Sequence, residues 1–214
     1  LLAEANQKEI FANGTEAHLP GEADIKGVFF NDAFQQLNLW FDIKTYAEDT
    51  YEQIKPLLQP FIDRDWLTYY DTEKKELVER PLVITLTGNL PTEMVKKEKK
   101  RYVFLDAPLS AFTKETDEKV LQEHSELSVI ASGSLESLLG EEENNKAKVK
   151  SFSESQLKKI KEYFDLAHKY KLKTRIWGAV LWPKRVRDHQ NRELLEIGID
   201  LINTDFVEEV AKEF

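Results

Sequence analysis

Leu37-Asn38-Leu39-Trp40-Phe41-Asp42-Ile43-Lys44 is an apolar run with a carboxylate set near its end. Its length and bulky side chains predict a strand, and the two-residue period places Asp42 and Lys44 on one face. Outward from this run, short apolar stretches alternate with helical patterns. Toward the carboxyl end, residues 50–61 carry Ile54, Leu57, Leu58 and Phe61 at helical spacing, with Pro56 and Pro60 expected to distort or end the helix. Leu82 to Leu86 reads as a compact strand, and residues 91–99 as a short polar helix. Tyr102 to Asp106 is a strand ended by Ala107-Pro108. Leu127 to Ala131 is another, closed by Ser132-Gly133-Ser134.

Residues 141–146 lack apolar side chains and read as an exposed loop. Ser153 to Lys169 is the clearest helix, capped by Ser153 or Ser155. Lys173 to Val180 reads as a strand, and Arg192 to Ile197 as a helix stopping at Gly198. Ile199 to Asn203 is a last strand, and residues 206–214 a closing amphipathic helix. On the amino side, residues 1–36 look poorly organised, with turn signals at Asn13-Gly14-Thr15 (also a glycosylation sequon) and Pro20-Gly21.

Strands alternating with helices predict a mainly parallel α/β sheet in one domain over residues 1–214. About six strands are readable, whereas a TIM (β/α)₈ barrel needs eight. The shortfall falls at the amino end. The chain starts at Leu1 and its single methionine is Met94, so it is expected to be trimmed or cut from something longer. An open flavodoxin-like sheet binding a phosphorylated ligand is the alternative architecture.

The 214 residues are 41% hydrophobic and 32% charged, which is a globular composition. Thirty basic against 39 acidic residues give a net charge of −9, which argues against nucleic acid as a partner. No apolar run is long enough to span a bilayer. The absence of cysteine excludes disulfides, thiolate metal sites and a cysteine nucleophile.

In parallel α/β folds, ligands sit at the carboxyl ends of strands. The polar residues predicted there are Asp42, Lys44, Thr87, Asn89, Asp106, Ser132, Ser134, Arg175, Trp177, Asn203 and Asp205. Asp42 beside Lys44 can bind a hard cation and a phosphate oxygen, or form a salt bridge that staples strand ends. Asp106 and Asp205 also suit turns and helix caps. Trp177 and Trp182 wall a pocket or join the core.

His18, His124, His168 and His189 show no metal-ligand spacing. Glu22-Ala23-Asp24 reads as an exposed turn. Residues 96–101, rich in lysine, read as a solvated face. No glycine-rich phosphate loop and no serine-hydrolase elbow occur.

Several blocks together resemble the fungal altered-inheritance-of-mitochondria phosphodiesterase-like family. They are Lys26 to Phe29, Leu39 to Thr45, Trp66 to Tyr69, Thr87-Gly88-Asn89, Phe104 to Leu109, Ile130 to Ser132, Arg175-Ile176-Trp177 with Trp182-Pro183, and Gly198 to Asp205. The resemblance implies membership of the phospholipase C-like and glycerophosphodiester phosphodiesterase superfamily, whose members are TIM barrels. It implies metal-assisted cleavage of a phosphodiester, of a small molecule or a phospholipid headgroup, with Mg²⁺ or Ca²⁺.

It also implies Asp42 as a metal ligand on the barrel's fourth strand, and Lys44 as the catalytic, phosphate-side lysine. Asn89 and Asp106 are expected to contact substrate or to support the residues that do, and Trp177 to contact substrate. The superfamily's acid–base histidines and Glu-x-Asp motif have no match here and are expected upstream of Leu1. Gly178 stands where relatives tend to carry a polar residue. On this expectation the fragment alone is inactive. A non-catalytic barrel that binds a lipid headgroup or a protein is the rival. The family's name implies a mitochondrial link, while the substrate, the metal and the oligomeric state are left open.

Overall fold

A computed structural model describes residues 27–28, 34–149 and 151–214. The sequon, His18 and Glu22-Ala23-Asp24 lie outside the described residues. The chain divides into two compact units, Leu1–Leu105 and Asp106–Phe214, and the division falls inside a strand, with no linker at it.

The first unit holds β1 (Leu37–Ile43), α1 (Ala47–Ile62), β2 (Tyr69–Asp71), β3 (Glu76–Val78), β4 (Leu82–Gly88), α2 (Thr92–Lys96), β5 (Lys100–Arg101) and the start of β6 (Phe104–Pro108). β1 runs parallel to β4 from Leu37↔Leu82 to Ile43↔Gly88, and β4 pairs in parallel with Phe104 and Leu105. Among the described residues, β4 is the one strand paired with β1. Ile43, Ile84 and Leu86 fill one face.

In α1, Ala47, Tyr51, Ile54 and Leu58 are buried at helical spacing, and Pro56 and Pro60 sit inside the helix without ending it. Each proline removes a hydrogen bond, and four buried anchors offset that loss. β2, β3 and β5 form a small antiparallel sheet that the sequence reading missed. Within it Arg101 is buried, its guanidinium 4.6 Å from the Tyr70 ring centre, so the charge run of residues 96–101 is not wholly a solvated face.

The second unit holds the rest of β6, a 3₁₀ turn (Leu109–Ala111), α3 (Glu118–Leu127), β7 (Ile130–Ser134), α4 (Leu135–Leu139), α5 (Glu141–Ala147), α6 (Glu154–Lys169), β8 (Lys173–Trp177), α7 (Lys184–Glu196), β9 (Leu201–Ile202) and α8 (Val207–Glu213). All strand pairs here are parallel: Asp106↔Ile130, Ile130↔Lys173 and Arg175↔Leu201 set the registers. Ala107, Ala131 and Ile176 share one face and join a core with Leu135, Leu138, Ile160, Phe164 and Leu194. Ser153 caps α6 in a reciprocal capping box with Gln156, as expected.

Several boundaries differ from the sequence reading. β6 continues through Ala107-Pro108. Leu127 closes α3, so β7 begins at Ile130 and contains Ser132-Gly133-Ser134. Gly133 is there for packing: a Cβ on it would lie 3.3 Å from Leu109 Cβ. Residues 141–146 are helical in α5, where Lys146 pairs with Glu142 and Glu143 at 2.8 and 2.7 Å.

α7 starts eight residues before the expected Arg192 because its buried face is polar, made of Arg187, Asp188, Gln190 and Asn191. β8 stops at Trp177, where Gly178 takes φ +74°, and β9 shortens to two residues. Both units are thus α/β, with parallel strands and interleaved helices. No described helix is long and apolar enough to cross a membrane.

Candidate functional site

In the first unit the site is the carboxyl end of β1. Alternation places Asp42 on the face of Trp40, and its register partner is Thr87. The carboxylate is about half exposed, with side-chain exposure 51% against 77% for Lys44. Lys44 Nζ lies 2.8 Å from Asp42 Oδ2. An ion pair this open adds little to stability, which weakens the view that it exists only to staple strand ends.

The backbone around the pair is closely built. Gly88 ends β4 at φ +82°, where a Cβ would stand 2.4 Å from the Ile43 carbonyl oxygen and 2.7 Å from Asp42 Oδ1. Only glycine fits that approach. Asn89 follows: its backbone N–H donates to the Ile43 carbonyl at 2.9 Å, and its side-chain Nδ2 donates to the Thr45 carbonyl at 2.8 Å. Thr45 Oγ1 lies 2.8 Å from Thr50 Oγ1, in the first turn of α1. The sequence reading made Asn89 a substrate contact or a support for one; here part of its donor capacity goes to the backbone on either side of Lys44. Thr87-Gly88-Asn89 carried the signal as a block, while Gly88's closeness to Asp42 was not legible.

In the second unit, strand register puts Asp106, Ser132, Ser134, Arg175 and Trp177 on one sheet face, opposite the apolar core residues. Asp106 lies inside β6, half-buried, and not in a turn or cap. Arg175 is also half-buried, and its Nη2 donates to Asn203 Oδ1. Burial pulls the Arg175 guanidinium below its ordinary pKa, and the Asp106 carboxylate works against that shift.

Ser132 is buried, and its Oγ has no hydrogen-bond partner among the described residues. Ser134 acts locally, since its Oγ accepts from the Ser137 N–H at 2.9 Å and caps α4. Trp177 and Trp182 are 48% and 81% exposed, so neither joins the core. Asp205 is exposed just before α8.

The described histidines make contacts of their own. His168 Nε2 lies 2.8 Å from Asp200 Oδ2, which also accepts from the backbone N–H and hydroxyl of buried Thr174 at 2.7 and 2.8 Å. This ties α6 to the segment before β9. His124 in α3 lies 6.2 Å from Phe112, ring to ring, and burial pushes its pKa down. His189 lies beside Glu193 on α7 at 3.5 Å.

Among the described residues, no group of three or more acidic or histidine side chains is placed to hold a metal ion. A hard cation takes six or more oxygens. Asp42 supplies one carboxylate with an ammonium already on Oδ2, so the described residues do not by themselves fit a divalent cation.

These elements define an α/β protein with parallel strands whose polar side chains gather toward the strands' carboxyl ends. Residues 1–106 match the profile of the AIM6-like phosphodiesterase domain. Proteins named altered inheritance of mitochondria protein 6 are similar along most of the chain. That of Eremothecium gossypii is 34% identical over 197 residues, 89% of this chain and 50% of its own. That of Lachancea thermotolerans is 34% identical over 212 residues, 89% of this chain and 48% of its own. That of Saccharomyces cerevisiae (strain S288c) is 34% identical over 203 residues, 86% of this chain and 50% of its own. The chain is thus similar to the AIM6-like phosphodiesterase domain over its first 106 residues and to these fungal proteins over most of its length. It spans about half the length of the curated relatives it matches. No solved structure matches it.

Proposed function

We propose that the chain is part of a phosphoric diester hydrolase of the phospholipase C-like or glycerophosphodiester phosphodiesterase kind. In this reading its parallel strands belong to a TIM barrel that takes further strands from outside the described residues. The substrate is a glycerophosphodiester or a phospholipid headgroup, and the relatives' name motivates a mitochondrial setting.

The observation that carries the reading is the exposed Lys44 ammonium at the carboxyl end of β1, held by Asp42 inside the segment that matches the phosphodiesterase profile. Lys44 stabilises the charge that develops on the non-bridging phosphate oxygens. Asp42, 2.8 Å from the ammonium, aims it. Proton transfer falls to histidines outside the described residues.

The test is turnover of glycerophosphodiesters and phospholipid vesicles by the full-length protein with Mg²⁺ or Ca²⁺, before and after Asp42→Ala. Turnover that falls by about 10²-fold in the variant supports the reading. No turnover of any diester by the wild type contradicts it and favours a headgroup- or protein-binding role. Unchanged turnover in the variant removes Asp42 from the mechanism. Calorimetry with the same ions, wild type against Asp42→Ala, decides separately whether Asp42 ligates a cation.

A further inference from the structure

We infer that Gly88 and Asn89 are positioning residues for Lys44, and that Asn89 acts through it without touching substrate. The inference rests on the reading of Lys44 as the phosphate-side group. Lysine is a long, flexible point charge, so its use in catalysis depends on a fixed base. That base lies just past β1, where the ladder with β4 has ended at Ile43↔Gly88.

Asn89 takes over there. Its backbone N–H holds the Ile43 carbonyl at 2.9 Å and its side chain holds the Thr45 carbonyl at 2.8 Å. One residue therefore holds the carbonyls of both residues that flank Lys44. The Thr45–Thr50 hydroxyl contact at 2.8 Å anchors the same turn to α1.

Gly88 makes the grip possible. Its positive φ turns the chain so that Asn89 reaches back to Ile43, and its missing side chain leaves room for Asp42 Oδ1, whose fellow oxygen holds the Lys44 ammonium. The clamp thus controls the backbone under Lys44 and the carboxylate that aims its ammonium. One N–H of the Asn89 side-chain amide is engaged with Thr45, which fixes the amide's orientation beside Lys44.

A double-mutant cycle on the full-length protein tests this. Asn89→Ala should lower kcat about 10-fold, with KM within about 2-fold, when Lys44 is present. In a Lys44→Met background the same change should have no further effect. An equal fall in both backgrounds, or a rise in KM alone, makes Asn89 a substrate contact and overturns the inference.

Hydrogen exchange reads the clamp without activity. Amides of residues 43–46 should exchange about 10-fold faster in Asn89→Ala, and unchanged protection overturns the clamp. If Asn89→Ala does not fold, Asn89→Leu, close in shape and lacking the donor, replaces it in both measurements. If Lys44→Met leaves turnover intact, the phosphodiesterase reading of Lys44 fails, while exchange still decides the clamp.

Discussion

Gly88 in the first unit and Gly178 in the second both lie at the end of a parallel strand with positive φ, +82° and +74°. Their surroundings differ. A Cβ on Gly88 would strike the Ile43 carbonyl and the Asp42 carboxylate, whereas a Cβ on Gly178 would meet nothing within 4 Å. The first unit's strand end is built tightly around an exposed ion pair. The second unit's strand ends are open, with Trp177 and Trp182 in solvent, and their polarity lies further in, where Arg175 bonds Asn203. Crowding that serves no core, around charges that add little stability, supports the proposed ligand role of the first region.

The contrast breaks first on the glycines. Gly88→Ala should destabilise by about 3 kcal/mol, combining αL strain with a backbone clash, and Gly178→Ala by about 1 kcal/mol from strain alone. Denaturant unfolding of the two variants measures this, and equal losses would end the distinction. The charges come next. Arg175→Met should cost about 2 kcal/mol, because a half-buried hydrogen-bonded guanidinium is lost, whereas Lys44→Met should shift stability by less than about 0.5 kcal/mol.

A smaller effect concerns pH. Burial depresses the His124 pKa, so the unfolded chain binds this proton more readily. Stability from this group should be present above about pH 6.5 and fall as pH drops from there toward the lower folded value. His124→Gln should flatten that part of the pH–stability curve, and an unchanged slope would assign it elsewhere. The smallest effect is Ser132→Ala, expected within about 0.5 kcal/mol of wild type, since the buried hydroxyl has no partner among the described residues to lose. A large loss would point to a hydrogen bond made in solution.

The β1 strand and the Asp42–Lys44 pairing were legible because a period-two apolar run with one carboxylate has few other readings. The polar face of the second unit was legible too, since parallel strands present ligand-facing groups at their carboxyl ends. What stayed hidden did so for physical reasons. α7 buries Arg187, Asp188, Gln190 and Asn191, so apolar periodicity gave no sign of its first turns. α5 buries only Asn144 and Ala147, and its charges read as a loop. Ser132-Gly133-Ser134 has turn composition, yet its small side chains suit a crowded strand. Asn89 was visible as a polar strand-end residue, but its bonds to residues 43 and 45 depend on a tertiary approach that spacing does not show.

Catalysis by the ammonium at the end of β1 is tested most directly by the steady-state kinetics of full-length Lys44→Met against wild type on a glycerophosphodiester. If Lys44 serves the phosphate, kcat/KM falls by about 10²- to 10³-fold while the unfolding midpoint stays with wild type. Wild-type kcat/KM in a folded Lys44→Met protein would contradict it.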